Sequence, residues 1–223
     1  MDYSLNRQNL INKFKIFCFD FDGVIVESSL IKTEAYKDLF FKYFPEKIDA
    51  IIKYHLENSG VVRYKKIKDI CENIIKIEYT EELEKKLVEE YELEIFKKVV
   101  ECEYVAGVID FLDYLKSTGR KIFVVSGTPD IELKKIIETR KISGYFSEIF
   151  GGGREKDYWI NHILSITNSR PEELIFIGDG FNDYEAAEKT GVEFIFRITG
   201  ENNHLLEKIK CLQIIENYSN FIK

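Results

Sequence analysis

Four short apolar runs punctuate the chain, at 16–19, 122–125, 174–177 and 194–196. Unbroken apolar runs of this length predict strands buried on both faces. Helical patterns separate the last three. Alternating strand and helix signals of this kind predict a parallel sheet covered by helices on both sides. The gap between the first and second runs spans roughly 100 residues, far more than one crossover needs.

That gap reads as helical. Leu83, Leu87, Tyr91, Ile95 and Val99 recur every four residues with Glu and Lys between them, the spacing of one apolar helix face. Thr80 is placed to cap this helix, and Glu81 and Glu82 suit its first turn. Residues 31–43, 47–56 and 63–75 also read as helices, with Pro45 and Gly60 as breaks. The expected organisation is an α/β core formed by 1–28 and 102–223, interrupted by an all-helical insertion over 29–101. The chain is expected to rejoin the core near 103–107.

Composition narrows the function classes. The chain has 223 residues, 45% hydrophobic and 32% charged, with a net charge of −7. An acidic balance argues against broad nucleic-acid binding but not against a small anion held at a locally basic site. No stretch approaches a membrane span, and the first residues lack a signal-peptide pattern. The four cysteines form no C-x-x-C pair. They read as reduced thiols of a cytoplasmic protein.

The chemistry gathers just after the apolar runs. Asp20 and Asp22 follow the first run at once, and Gly23 lets the chain turn away. Carboxylates at the carboxyl end of a buried strand sit where open α/β sheets bind ligands. Two such charges repel, and a divalent cation is the usual remedy. The pattern points to a metal-assisted site with an aspartate nucleophile. Ser126-Gly127-Thr128-Pro129 follows the second run, and its hydroxyl and backbone N–H groups suit an anion. Gly151-Gly152-Gly153 precedes Arg154 and Lys156, two candidates to neutralise a phosphoryl group. Gly178-Asp179-Gly180-Phe181-Asn182-Asp183 closes the third run. Its two acids can address one magnesium ion (Mg2+) and its waters.

In this order, the segments resemble the signatures of the haloacid dehalogenase superfamily of phosphohydrolases. The matching segments are Phe19-Asp20-Phe21-Asp22-Gly23-Val24, Ser126-Gly127-Thr128, Lys156, and Gly178-Asp179 through Asp183. The resemblance covers essentially the whole chain, and within it the phosphoglycolate phosphatase-like and β-phosphoglucomutase-like members are the nearest in kind. It implies a Rossmann-like core with an inserted helical cap domain over 29–101. Asp20 would attack phosphorus, and Asp22 would act as acid and then base. Magnesium would be held by Asp20, the backbone carbonyl of Asp22, and Asp179, with Asp183 supporting the metal waters or Lys156. Ser126, Gly127 and Lys156 would bind the phosphoryl oxygens. An acid at position 22 favours phosphoryl transfer over dehalogenation, because carbon–halogen-cleaving members lack it. The three glycines replace the Gly-Ser-Pro that close relatives often carry.

The segment from Gly60 to Arg63, with Lys66 nearby, is similar to the Gly-x-x-Arg cap loop of capped relatives. It makes Arg63 the candidate substrate contact. Glu27 and Lys32 lie where the hinge and flap are expected. The implied activity is a magnesium-dependent phosphatase acting on a small phosphorylated metabolite, as monomer or homodimer. The alternatives are a phosphosugar mutase, which carries a histidine where this chain has Lys32, and a phosphonate hydrolase, which needs a cap lysine. A non-catalytic binding protein would have lost one of the four acids, all of which are present.

Overall fold

In a computed structural model that describes residues 7–58 and 61–221, the first apolar run lies at the centre of a six-stranded sheet. The strands are β1 (Ile16–Phe19), β2 (Lys121–Pro129), β3 (Glu148–Gly152), β4 (Leu174–Gly178), β5 (Glu193–Arg197) and β6 (Gln213–Ile215). They run in the order β3-β2-β1-β4-β5-β6, and every pairing is parallel. The order turns back at β1, whose neighbours are β2 and β4. A crevice opens at the carboxyl ends of strands around such a switch point.

The side-chain alternation of β1 splits the core in two. Phe17 and Phe19 face one apolar cluster with Phe111 and Tyr218. Ile16 and Cys18 face the other, with Ile160, Ile163 and Ala187. Phe111 belongs to α6 (Val108–Ser117); the opposite face is covered by α8 (Lys156–Thr167) and α9 (Phe181–Thr190). The sheet is therefore covered on both sides, as its apolar strands require. The remaining core helices are α1 (Arg7–Lys13) and α7 (Asp130–Thr139).

Between β1 and α6 the regular elements are helical: α2 (Ser29–Phe41), a 3-10 turn (Pro45–Lys47), α3 (Ile48–Glu57), α4 (Arg63–Asp69), a π-helical turn (Ile70–Ile75) and α5 (Glu81–Glu101). Thr80 caps α5 by accepting a hydrogen bond from Leu83 N–H (3.2 Å). Leu87, Tyr91, Ile95 and Val99 are buried along one face, as the four-residue repeat predicts. The single helix expected over 63–75 instead widens into the π turn, which ends at Lys76 in the left-handed region (φ 68°). Gly60 lies outside the described residues. The two connections to this insertion run side by side. Glu27 N–H donates to the Glu103 carbonyl (2.9 Å), and Val105 N–H donates to that of Ile25 (3.0 Å).

Three strands differ from the expectation, the short edge strand β6 among them. β2 continues through Ser126–Pro129 with a register shift against β3, so Ser126 and Thr128 stand in the strand rather than in a turn. The first two glycines of the run end β3. A Cβ on Gly151 would lie 2.3 Å from Asp130 Cα, closer than any side chain permits, so glycine there lets β3 dock against the β2–α7 corner. The four cysteines are unpaired. Among the described residues, no helix is long and apolar enough to cross a membrane.

Candidate active site

The switch point gathers the acids. Phe19 pairs with Val124 on one side and Ile177 on the other, so Asp20 emerges between Ser126 of β2 and Asp179 after β4. Gly23 makes the turn beyond it in the left-handed region (φ 68°). A Cβ there would lie 2.1 Å from Asp179 Oδ2. The glycine is needed for the turn and for the close passage of that carboxylate.

Asp20, Asp179 and Asp183 are buried and place carboxylate oxygens within 4.8 Å of one another. Lys156, the first residue of α8, reaches into this group. Its Nζ lies 3.0 Å from Asp20 Oδ2 and 2.5 Å from Asp183 Oδ1. Asp183 Oδ2 accepts from Gly180 N–H (2.9 Å), and Asp20 Oδ1 accepts from Phe21 N–H (2.7 Å). Ser29 Oγ donates to Asp179 Oδ2 (3.1 Å), and Asn202 Nδ2 donates to the Asp179 carbonyl (2.8 Å).

Three buried carboxylates against one ammonium leave an excess of negative charge. Burial pushes Asp20 above the usual carboxylate range, and Asp183 and Asp22 add to this against the pull of Lys156. Burial, then Asp20 and Asp183, raise Asp179 well above it. By contrast, burial and the two carboxylates act in opposite directions on Lys156, and the carboxylates win: its ammonium is held charged. All-oxygen donors with surplus charge suit a hard divalent cation. Asp20, Asp179 and Asp183 are the side chains fitted to hold one.

Asp22 stands apart from that group. Ser28 Oγ donates to its Oδ1 (2.6 Å), Thr128 Oγ1 donates to its Oδ2 (2.8 Å), and Lys32 forms an ion pair with Oδ2. Lys32 Nζ also donates to Thr128 Oγ1 (2.7 Å). Burial alone would raise Asp22, but Lys32 and the two hydroxyls hold it below the usual carboxylate range. The two aspartates of the first segment are thus set differently.

Ser126 is buried and lines the same cavity as Asp20 and Gly127. Its Oγ accepts from Thr128 N–H (3.2 Å), so that N–H is turned inward to Ser126. Of the two cations after the glycines, Lys156 reaches the acids. Arg154 is exposed and lies over the Tyr158 ring. Arg63 is buried and lines the cavity, yet its guanidinium is already engaged. It makes two hydrogen bonds to Glu132 of α7 (2.6 and 3.0 Å), pairs with Glu92 (2.9 Å) and stacks on Tyr91. Glu27 forms a two-pronged pair with Arg197 (2.6 and 2.9 Å), which also donates to the Gly23 carbonyl.

Sequence reasoning gave no place to Ser28, Ser29, Glu132, Arg197 or Asn202. Ser28 and Ser29 were within reach, as hydroxyls at a predicted helix start beside two acids. The others act through contacts far apart in the chain.

Buried carboxylates, a lysine and a hydroxyl at the switch point of a parallel sheet, with a helical insertion after the first strand, place the chain among α/β proteins with a strand-end site. Residues 17–197 match the haloacid dehalogenase-like hydrolases, and the chain belongs to that family. It is 28% identical over 202 residues to a phosphoglycolate phosphatase of Aquifex aeolicus, covering 83% of this chain and 85% of that one. A phosphorylated carbohydrates phosphatase of Thermotoga maritima is 25% identical over 198 residues, with the same coverage. The crystal structure of a β-phosphoglucomutase from Clostridium difficile superposes with a TM-score of 0.74 at 21% identity, over 94% of this chain and 93% of that one. That last likeness is one of fold.

Proposed function

We propose that this protein is a magnesium-dependent phosphatase that hydrolyses a small phosphorylated metabolite through a phosphoryl-aspartate on Asp20. The observation that carries the reading is the buried group of Asp20, Asp179, Asp183 and Lys156 at one strand-end crevice. Asp20, Asp179 and the backbone carbonyl of Asp22 would hold magnesium, with Asp183 beside them, and the ion would neutralise charge on the phosphoryl oxygens and on Asp20.

This chain's residues divide the remaining work. A carboxylate oxygen of Asp20 attacks phosphorus as the ester P–O bond breaks. Ser126, the Gly127 N–H and Lys156 hold the phosphoryl oxygens in line. Asp22 gives a proton to the departing alcohol, then takes one from the water that cleaves the acyl phosphate. Ionised beside Lys32, Asp22 is set as the base of that second half. For the first half it needs a proton. Lys32 comes from the insertion, so withdrawing the insertion removes the one cation paired with Asp22 and leaves it with the hydroxyls of Ser28 and Thr128.

The reading takes 29–101 as a cap domain over a core of 1–28 and 102–223. The side-by-side connections at Glu27–Glu103 and Ile25–Val105 support that boundary, because two adjacent connections make a hinge. Asp183 acts as the anchor of Lys156. The relatives named for phosphoglycolate and for phosphorylated carbohydrates support a small phosphate monoester as substrate.

Phosphate release from a panel of small phosphate monoesters tests the reading. Release is expected with magnesium, is expected to stop on chelation and to return when magnesium is restored. No release from any ester, or release indifferent to chelator, overturns it.

A further inference from the structure

Among the described residues that line the cavity, the cations differ in one respect. Lys32 is paired with Asp22, and Arg63 with Glu132 and Glu92. Lys66 also lines the cavity, is only 4% exposed, and forms no ion pair with any carboxylate among the described residues. Its Nζ lies 3.4 Å from His55 Nδ1 and 5.5 Å from the Tyr36 ring centre. Burial, with the Lys66 and Lys32 charges, holds His55 well below its ordinary value, so its ring is a neutral neighbour. A buried ammonium without a carboxylate is costly, and such a group persists where a ligand supplies the charge.

We propose that Lys66 is a specificity-determining residue of this site and receives a carboxylate on the non-reacting end of the phosphate ester. The inference rests on the phosphatase reading above. The alternative anion is a second phosphate. A phosphate monoester carries about −1.5 to −2 charges at pH 7, more than one buried ammonium offsets. The one guanidinium lining the cavity, that of Arg63, is already filled by Glu132. An ionised carboxylate carries a single negative charge, the match for the single ammonium of Lys66.

Burial, with Lys32 and Lys156, pushes Lys66 down to about 7, against Asp179 and Asp22. His55 and the Tyr36 ring face it as well. The placement therefore weakens the fold without ligand. Below pH 7 Lys66 is charged in both folded and unfolded chains, and the full cost is present. Between pH 7 and its unfolded value near 10.4 the folded lysine sheds its proton first, and the cost shrinks.

The test compares 2-phosphoglycolate, 2-hydroxyethyl phosphate and ethylene glycol bisphosphate as substrates of the whole protein. The wild type is expected to favour 2-phosphoglycolate over the hydroxyethyl ester by about 10- to 100-fold in kcat/KM, the range of a charge-assisted hydrogen bond. Lys66→Met is expected to bring that ratio close to one, mainly through KM. It is also expected to unfold at higher urea than the wild type, with the larger gain at pH 6 than at pH 9. A wild type that shows no preference, one that favours the bisphosphate, or a ratio that survives in Lys66→Met overturns the proposal. So does a Lys66→Met variant less stable than the wild type at both pH values. Release from other esters of the panel but from none of these three overturns the proposal; release from no ester at all overturns the phosphatase reading instead.

Discussion

Asp20→Asn is expected to lower turnover by at least about 10,000-fold, the scale seen when a nucleophile is removed from a covalent mechanism. The amide keeps the shape of the carboxylate and loses its nucleophilic oxygen. The loss is expected in kcat. The fold is expected to survive, and the physical reason is specific to this site. Asp20 is buried in a group with surplus negative charge, and its carboxyl is pushed up by burial and by Asp183 and Asp22. A neutral isostere relieves that repulsion while Asp183 still pairs with Lys156 (2.5 Å). Urea unfolding is thus expected to show a variant as stable as the wild type or more so. A variant that keeps turnover within tenfold of the wild type removes Asp20 from the role of nucleophile.

Lys156→Met is expected to have the opposite balance. The thioether fills a similar volume but leaves Asp20 and Asp183 facing each other without a cation. Removing one partner of a buried ion pair costs about 3–5 kcal/mol. Lys156 is 6% exposed and Asp183 fully buried, so solvent does little to soften that loss. Urea unfolding in the presence of chelator is expected to show a loss of this size. Added magnesium is expected to recover part of it, because the ion supplies positive charge to the same carboxylates. Turnover is expected to fall as well, since the same ammonium is assigned to the phosphoryl oxygens. An unchanged unfolding midpoint in chelator contradicts the electrostatic account of the site.

Much of this architecture was legible in the chain. The apolar runs at 16–19 and 174–177 needed no context, because strands buried on both faces carry uninterrupted apolar residues. Their trailing aspartates followed from the same reading, as strand ends are where such sheets bind ligands. The insertion was legible in the repeat from Leu83 to Val99. β3 was not, because its Glu148–Gly152 ends in glycines that serve a close approach to Asp130. β6 was not, because three residues at a sheet edge carry too little pattern.

The site was legible where acids stood beside strands and illegible where a cation's partner mattered. The sequence favours Lys156 with Arg154 in competition, and α8 turns Lys156 inward while Arg154 stays exposed. Arg63 was marked as a substrate contact, while its ties to Glu132 and Glu92 depend on how α4, α5 and α7 meet. Lys32 was placed at the hinge, but its ion pair with Asp22 required the turn of α2 back over the crevice. Lys66 reads only as a neighbour of the cap loop that ends at Arg63, with no role of its own. Only packing against His55 and Tyr36 turns it inward.

If Asp20 carries the phosphoryl group during turnover, that group can be trapped on it. The wild type is mixed with 32P-labelled acetyl phosphate and magnesium, quenched in acid and digested. The account predicts acid-stable, hydroxylamine-labile label on the peptide that contains Asp20, absent from Asp20→Asn. Label on another residue, or phosphate release that never passes through labelled protein, would contradict it.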